Sequence, residues 1–160
     1  MDMAVRQATP LQVRPNAFFI GATEGVGVER DGFGRMRRRF RTQAEGRAIE
    51  TYTAVSVTET YCFDDGQIDV WRWVISASPG GKFVAAEIGQ QSGIVSETAG
   101  EDLWFRFRRG FTPTKALIPV AFTVRMTMLT PQTMLQATNV SVLGIPTRRL
   151  IHTIRRCGET

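Results

Sequence analysis

Val55-Ser56-Val57-Thr58-Glu59-Thr60-Tyr61-Cys62-Phe63, Asp64-Asp65-Gly66, then Gln67-Ile68-Asp69-Val70-Trp71-Arg72-Trp73 is the stretch that decides the fold. β-Branched and aromatic residues alternate on both sides of an Asp-Asp-Gly turn, which is the signature of a β-hairpin. Because successive side chains in a strand point to opposite faces, Val55, Val57, Glu59, Tyr61 and Phe63 share one face, opposite Ser56, Thr58, Thr60 and Cys62. The loop length then decides what Glu59 meets. A two-residue loop sets it opposite Arg72. A three-residue loop, with Gly66 left-handed at a bulge, sets Glu59 opposite Trp71 and Val57 opposite Trp73. The second register is preferred because it gathers Val57, Tyr61, Trp71, Trp73 and Ile75 on one face.

Outward from this hairpin the same grammar repeats. Asp31-Gly32-Phe33-Gly34, Ala44-Glu45-Gly46, Ser78-Pro79-Gly80-Gly81, Ala99-Gly100-Glu101-Asp102 and Thr130-Pro131-Gln132 read as turns. They punctuate strand candidates at 18–30, 35–43, 48–63, 67–77, 82–90, 93–99, 102–108, 119–129, 133–143 and 147–157. All seven prolines fall at segment ends or in connections, as ladder hydrogen bonding requires. No helical period is sustained, and only 109–118 has room for a helical turn. Consecutive hairpins imply one antiparallel sheet, and curling it shut hides its edges and one face. The predicted fold is all-β, an up-and-down barrel of roughly eight to ten strands around an interior cavity. Residues 1–16, with Pro10 and Pro15, read as an N-terminal arm, and 17–160 as a single barrel domain.

With 160 residues, 42% hydrophobic and 22% charged, the chain suits one domain with a real core. The net charge is +5, and of 20 basic residues only Lys82 and Lys115 are lysine. In Arg35-Met36-Arg37-Arg38-Arg39-Phe40-Arg41 the odd positions form a cationic, solvated face. Such a surface suits anionic partners, and a weak contact with anionic membrane is one expectation. Arginine richness also follows from solubility and high-GC codon usage. The arginine-rich strand lacks exposed aromatics, so nucleic-acid binding is not expected. Cys62 and Cys157 make no disulfide framework, and they can pair only if the last strand lies beside the third. No apolar leader precedes residue 6, which points to the cytoplasm. The uncharged part of 126–147 is too polar to span a bilayer and reads as strands around a turn.

Few residues suggest chemistry. Gly21-x-x-x-Gly25-x-Gly27 lacks the Gly-Lys-Ser/Thr of a phosphate loop and opens into a strand, so the glycines serve curvature and close approach. His152 is the one histidine, which argues against a triad or multi-histidine metal site. It reads as solvated or strand-packed, and neither metal nor cofactor is expected. Arg38 and Glu59, with Glu87, form the candidate buried polar constellation. In an apolar interior a carboxylate must be paired, hydrogen-bonded or neutral. Phe40, Tyr61, Trp71, Trp73, Trp104 and Phe107 read as core and cavity lining.

Phe19-x-Gly21, Gly27, Arg30, Gly34-Arg35, Phe40, Glu59-x-Tyr61-x-Phe63-Asp64-Asp65-Gly66, Trp73 and Gly89 together resemble an uncharacterised bacterial family of lipocalin-like proteins, many of them small lipoproteins. The resemblance spans about 18–150 and implies a calycin-type barrel with a cavity and no agreed activity. Three departures stand out. Trp71 replaces the family's arginine after the turn, Gln136 replaces an asparagine, and Val124-Arg125-Met126 replaces an acidic-aromatic stretch. The lipidation cysteine is missing as well.

Two functions fit. One is binding of a hydrophobic small molecule with a polar or anionic head group, using Arg38, Phe40, Val57, Glu59, Tyr61, Trp71, Trp73, Glu87, Trp104 and Gln136. The other is a cofactor-independent isomerase, cyclase or hydratase with Glu59 as general acid or base. Ligand identity and oligomeric state are not legible.

Overall fold

The computed structural model describes residues 9–51, 53–89, 93–111 and 118–158. A four-residue helix α1 (Pro15–Phe18) leads into eleven strands: β1 Gly21–Asp31, β2 Met36–Ile49, β3 Ala54–Phe63, β4 Ile68–Ser78, β5 Lys82–Glu87, β6 Ile94–Val95, β7 Glu97–Ala99, β8 Asp102–Phe111, β9 Ile118–Thr130, β10 Thr133–Val142 and β11 Ile145–Arg156. All belong to one antiparallel sheet ordered β6-β5-β4-β3-β2-β1-β11-β10-β9-β8-β7. Each of the ten expected strands is present. The count rises to eleven because Ser96 divides the 93–99 segment into β6 and β7.

That division closes the barrel. β6 pairs with β5 and β7 pairs with β8, so the two edges of the sheet are joined through a single residue. Ser96, 1% exposed, donates its N–H to the Phe83 carbonyl and accepts the Phe83 N–H on Oγ, both at 2.8 Å. The clasp satisfies edge groups that would otherwise face solvent unpaired.

Two expectations about punctuation need correction. Ala44-Glu45-Gly46 is no turn but the middle of β2, and the chain reverses instead at Glu50 and Thr51, both with positive φ. Gly46 is there for space, since a Cβ would collide with the Phe19 carbonyl. The strand expected from residue 18 begins at Gly21, because Pro15 starts the short helix α1. The helical turn considered for 109–118 falls largely outside the described residues.

Alternating strand directions place the β1–β2, β3–β4 and β10–β11 turns at one end of the barrel, here the mouth. The opposite end is stoppered. Val13, Phe18 and Phe19 pack there with Val55, Ile75, Phe83, Leu103, Met134 and Ile154. Val13, near the start of the described chain, is therefore core. Cys62 and Cys157 are free and exposed, on or beside strands that β1 and β2 separate.

Candidate functional site

The Asp64-Asp65-Gly66 hairpin adopts the three-residue register, pairing Glu59 with Trp71 and Val57 with Trp73. Gly66 has φ 88°, the left-handed value that the turn requires. The inward face of β3 thus delivers Val57, Glu59 and Tyr61 into a cavity of about 500 Å³.

Deep in this cavity stands a polar group. The Glu59 carboxylate, 12% exposed, lies 3.9 Å from His152 Nε2 across the barrel interior. The Tyr61 hydroxyl is hydrogen-bonded to Glu59 and to Gln136; burial first, then the neighbouring carboxylate, push its phenol well above its usual range. Gln136 is buried and stands opposite His152 on the adjacent strand. The imidazole is 2% exposed and packs edge-on against Phe40 (5.3 Å) and Tyr61 (5.7 Å). Neither of its nitrogens has a hydrogen-bond partner among the described residues, and the buried Thr42 Oγ1 has none either. The ring fits because the facing strand carries no side chains there. A Cβ at Gly27 would strike His152 and Phe40, and one at Gly25 would strike Thr42. The close approach expected of these glycines is made by the protein's own side chains.

A second carboxylate sits nearer the mouth. Glu29 is 1% exposed, with Oε2 accepting Arg38 Nε at 2.8 Å and Oε1 at 3.9 Å from Arg148 Nη1. Arg38 also bonds Asp65 Oδ2 and Gln67 Oε1, each at 2.7 Å, while its guanidinium lies 3.7 Å from the Phe63 ring centroid. The Gln67 N–H and Arg38 hold the Asp65 carboxyl below the usual carboxylate range. The expected Arg38–Glu59 pairing is therefore corrected. Antiparallel register puts Arg38 opposite Glu29, whereas Glu59 faces Ala44.

Aromatic rings form the remaining wall. Trp71 and Trp73 are stacked at 6.1 Å, Phe107 and Phe122 at 4.9 Å, and the pairs meet edge-on through Trp71–Phe122 and Trp73–Phe107. β4 and β9 are far apart in the sheet order, so these contacts span the interior.

Of the residues named as candidates from the sequence, Val57, Glu59, Tyr61, Trp71, Trp73 and Gln136 line the cavity. Phe40 backs it, under Tyr61 and Phe63. Trp104 does not line it. Leu103, Phe105 and Phe107 occupy the inward face of β8, and strict alternation sends Trp104 outward between Arg106 and Arg125. Glu87, opposite Trp73, is half-buried and outside the lining. Sequence reading passed over Glu29 and Arg148, and took His152 as solvated or strand-packed rather than as part of the site. The signal for His152 was available: Leu150, His152 and Ile154 alternate with Arg149, Ile151 and Arg155, and two apolar neighbours mark its face as inward. No cluster of three or more metal-ligating side chains occurs among the described residues.

Comparison with known proteins agrees with this architecture. The model of a family described as "Protein of unknown function (DUF3833)" matches residues 1–156. No curated protein matches the chain. The S-type phycobiliprotein lyase CPES from Guillardia theta superposes with TM-score 0.65 at 9% identity, covering 91% of this chain and 92% of that one. Rv2717c from M. tuberculosis superposes with TM-score 0.56 at 12% identity, covering 92% of this chain and 100% of that one. At such identities the likeness is one of fold: a calycin-like barrel.

Proposed function

The chain belongs to the DUF3833 family, and we propose that it binds an apolar small molecule carrying a polar head group inside the barrel. The observation that carries this reading is a cavity of about 500 Å³, walled by stacked aromatics, with a carboxylate in its depth that no arginine among the described residues pairs with. Cavities of this size and lining are typical of small-molecule sites. Each 100 Å² of apolar ligand surface removed from water contributes about 2.5 kcal/mol before the costs of binding.

The polar groups select the head group. Glu59 accepts hydrogen bonds, Gln136 donates and accepts, and Tyr61 already donates to Glu59. That set favours a ligand end that donates, such as a hydroxyl, amide or ring N–H. An anionic group belongs instead at the mouth, beside Arg148, which also lines the cavity.

The test uses N-phenyl-1-naphthylamine, an apolar fluorophore with one N–H donor, excited by energy transfer from Trp71 and Trp73. Saturable binding is expected, weakened about tenfold by Glu59→Gln, a loss near 1.4 kcal/mol. Absence of saturable binding, or equal affinity in the variant, overturns the reading.

One observation favours catalysis as a second reading. A carboxylate 3.9 Å from a buried imidazole whose nitrogens have no hydrogen-bond partner among the described residues is an arrangement suited to proton transfer. The word lyase in the name of one similar structure gives chemistry on this fold a precedent. Under this reading Glu59 is the general acid or base of an isomerase, cyclase or hydratase. Glu59→Gln then abolishes turnover of an apolar substrate while leaving its binding within a few-fold.

A further inference from the structure

The mouth of the barrel has a chemistry of its own. Its rim is built by the β1–β2 and β10–β11 hairpins, which touch: a Cβ at Gly32 would collide with the Pro146 carbonyl. At their tips Phe33 is 90% exposed, Leu143 73% and Ile145 67%. Solvent-facing rings and branched chains at adjacent hairpin tips are not explained by the fold, because Phe33 and Leu143 lie in the turns and pack into neither core cluster. Register shifts at Glu29/Arg30 and at Val140/Ser141 set off both hairpins from the wall, the usual effect of a bulge at a barrel rim.

Charge surrounds these tips. Arg35 just before β2, Arg37 and Arg39 on β2, and Arg149 on β11 are exposed, and none has an ion-pair partner among the described residues. Asp31, Asp64 and Asp65 at the same end accept hydrogen bonds from the protein, and none forms an ion pair with these four arginines. Asp31 accepts the Phe33 and Arg35 N–H groups, Asp64 accepts the Arg39 N–H, and Asp65 bonds Arg38. The rim therefore presents apolar tips among arginines that hold no ion pair with the described residues, Arg35 lying over the Phe33 ring at 5.8 Å.

We infer that this rim docks the barrel mouth-first on an anionic phospholipid bilayer, with Phe33, Leu143 and Ile145 inserted at the headgroup boundary and the arginines on lipid phosphates. Two separate determinants act together, apolar insertion and electrostatic attraction, as stable interfacial binding requires. Arginine suits the role because its fork binds phosphate oxygens in pairs and its stem lies along apolar surface. A protein partner is disfavoured, because Phe33 and Leu143 protrude singly from turns and Ile145 from the first position of β11, rather than forming a flat patch. Docked this way, the cavity opens toward the bilayer, the reservoir of apolar molecules. The inference stands on the rim alone and does not require the cavity to bind anything.

Co-sedimentation of the full chain with vesicles tests it. Binding is expected to vesicles of phosphatidylcholine with 30 mol% phosphatidylglycerol, at least tenfold stronger than to phosphatidylcholine alone, and falling steeply between low and 0.5 M salt. The combined Phe33→Ser, Leu143→Ser and Ile145→Ser variant should lose at least tenfold. Combined Arg35→Gln, Arg37→Gln and Arg39→Gln should lose a similar factor together with the salt dependence. Phe33→Trp should shift its added emission to the blue only with anionic vesicles. All these positions are exposed, so unchanged melting temperature and unchanged N-phenyl-1-naphthylamine binding separate rim loss from misfolding and from failure of the cavity reading. No preference for anionic vesicles, tip variants that bind as well as the parent, or capture of a soluble protein without vesicle binding each overturns the inference.

Discussion

Glu29 and Glu59 are two carboxylates on the inner wall of the same barrel, and their surroundings differ in kind. Glu29 is 1% exposed and bound by Arg38, with Arg148 on its other oxygen. Glu59 is 12% exposed and has around it a phenol, an amide and an imidazole, none of them a fixed cation. An ion pair of the first sort is a structural strut, since a guanidinium balances its charge and holds one of its oxygens. A carboxylate with no guanidinium or ammonium among its described neighbours keeps acceptor capacity for something else. The comparison teaches that burial of an acid says little about its role until its countercharge is identified.

The largest effect should come from breaking the strut. Glu29→Ala leaves Arg38 and Arg148 without their shared acceptor and should cost about 3–5 kcal/mol, at the low end because Arg38 keeps Asp65. Urea denaturation reads the loss, and a change under 1 kcal/mol would remove Glu29 from the structural class. Next is Gly27→Ala, which crowds the seat of His152 beside Glu59. Overpacking against Ile151, His152 and Phe40 should cost about 1–3 kcal/mol and disturb the Glu59 region while leaving Arg38 in place. Nuclear magnetic resonance of the single histidine should shift, whereas an unmoved His152 signal would show that the glycine is not what makes room.

Glu59→Gln sharpens the contrast from the other side. Stability should change by less than about 1 kcal/mol, because no arginine among the described residues loses its partner, while N-phenyl-1-naphthylamine affinity drops about tenfold. A stability loss matching that of Glu29→Ala would make the two acids equivalent. Tyr61 offers a smaller, pH-dependent effect. Its phenol is raised in the folded chain, by burial above all, so the unfolded chain releases that proton first. Its contribution is complete below about pH 10, where an unfolded tyrosine begins to ionise, and is lost as pH climbs toward the folded value. Tyr61→Phe should flatten the fall of melting temperature above pH 10 and leave neutral pH nearly unchanged. Trp104→Leu should do least, leaving probe affinity within twofold, because its indole lies on the outer face between two arginines.

Much of this was legible beforehand. Turn residues and period-2 alternation located the ten strand segments, the hairpin register at Asp64-Asp65-Gly66 and the inward set Val57, Glu59, Tyr61, Trp71 and Trp73, each from neighbours a few positions apart. Alternation also carried the error at Trp104, since residues an odd number apart on one strand, such as 104 and 107, cannot both point inward. Gly46 misled for a different reason: a glycine required by a distant carbonyl looks, in sequence, like one required by a turn.

The one-dimensional chain determined which side chains share a face and where it reverses, because pleat and turn geometry are local. Tertiary structure decided which faces meet: Arg38 with Glu29, Glu59 with His152, and two sheet edges joined through Ser96. Those pairings depend on register summed over many strands and on how the sheet closes, and no window of neighbouring residues contains that information.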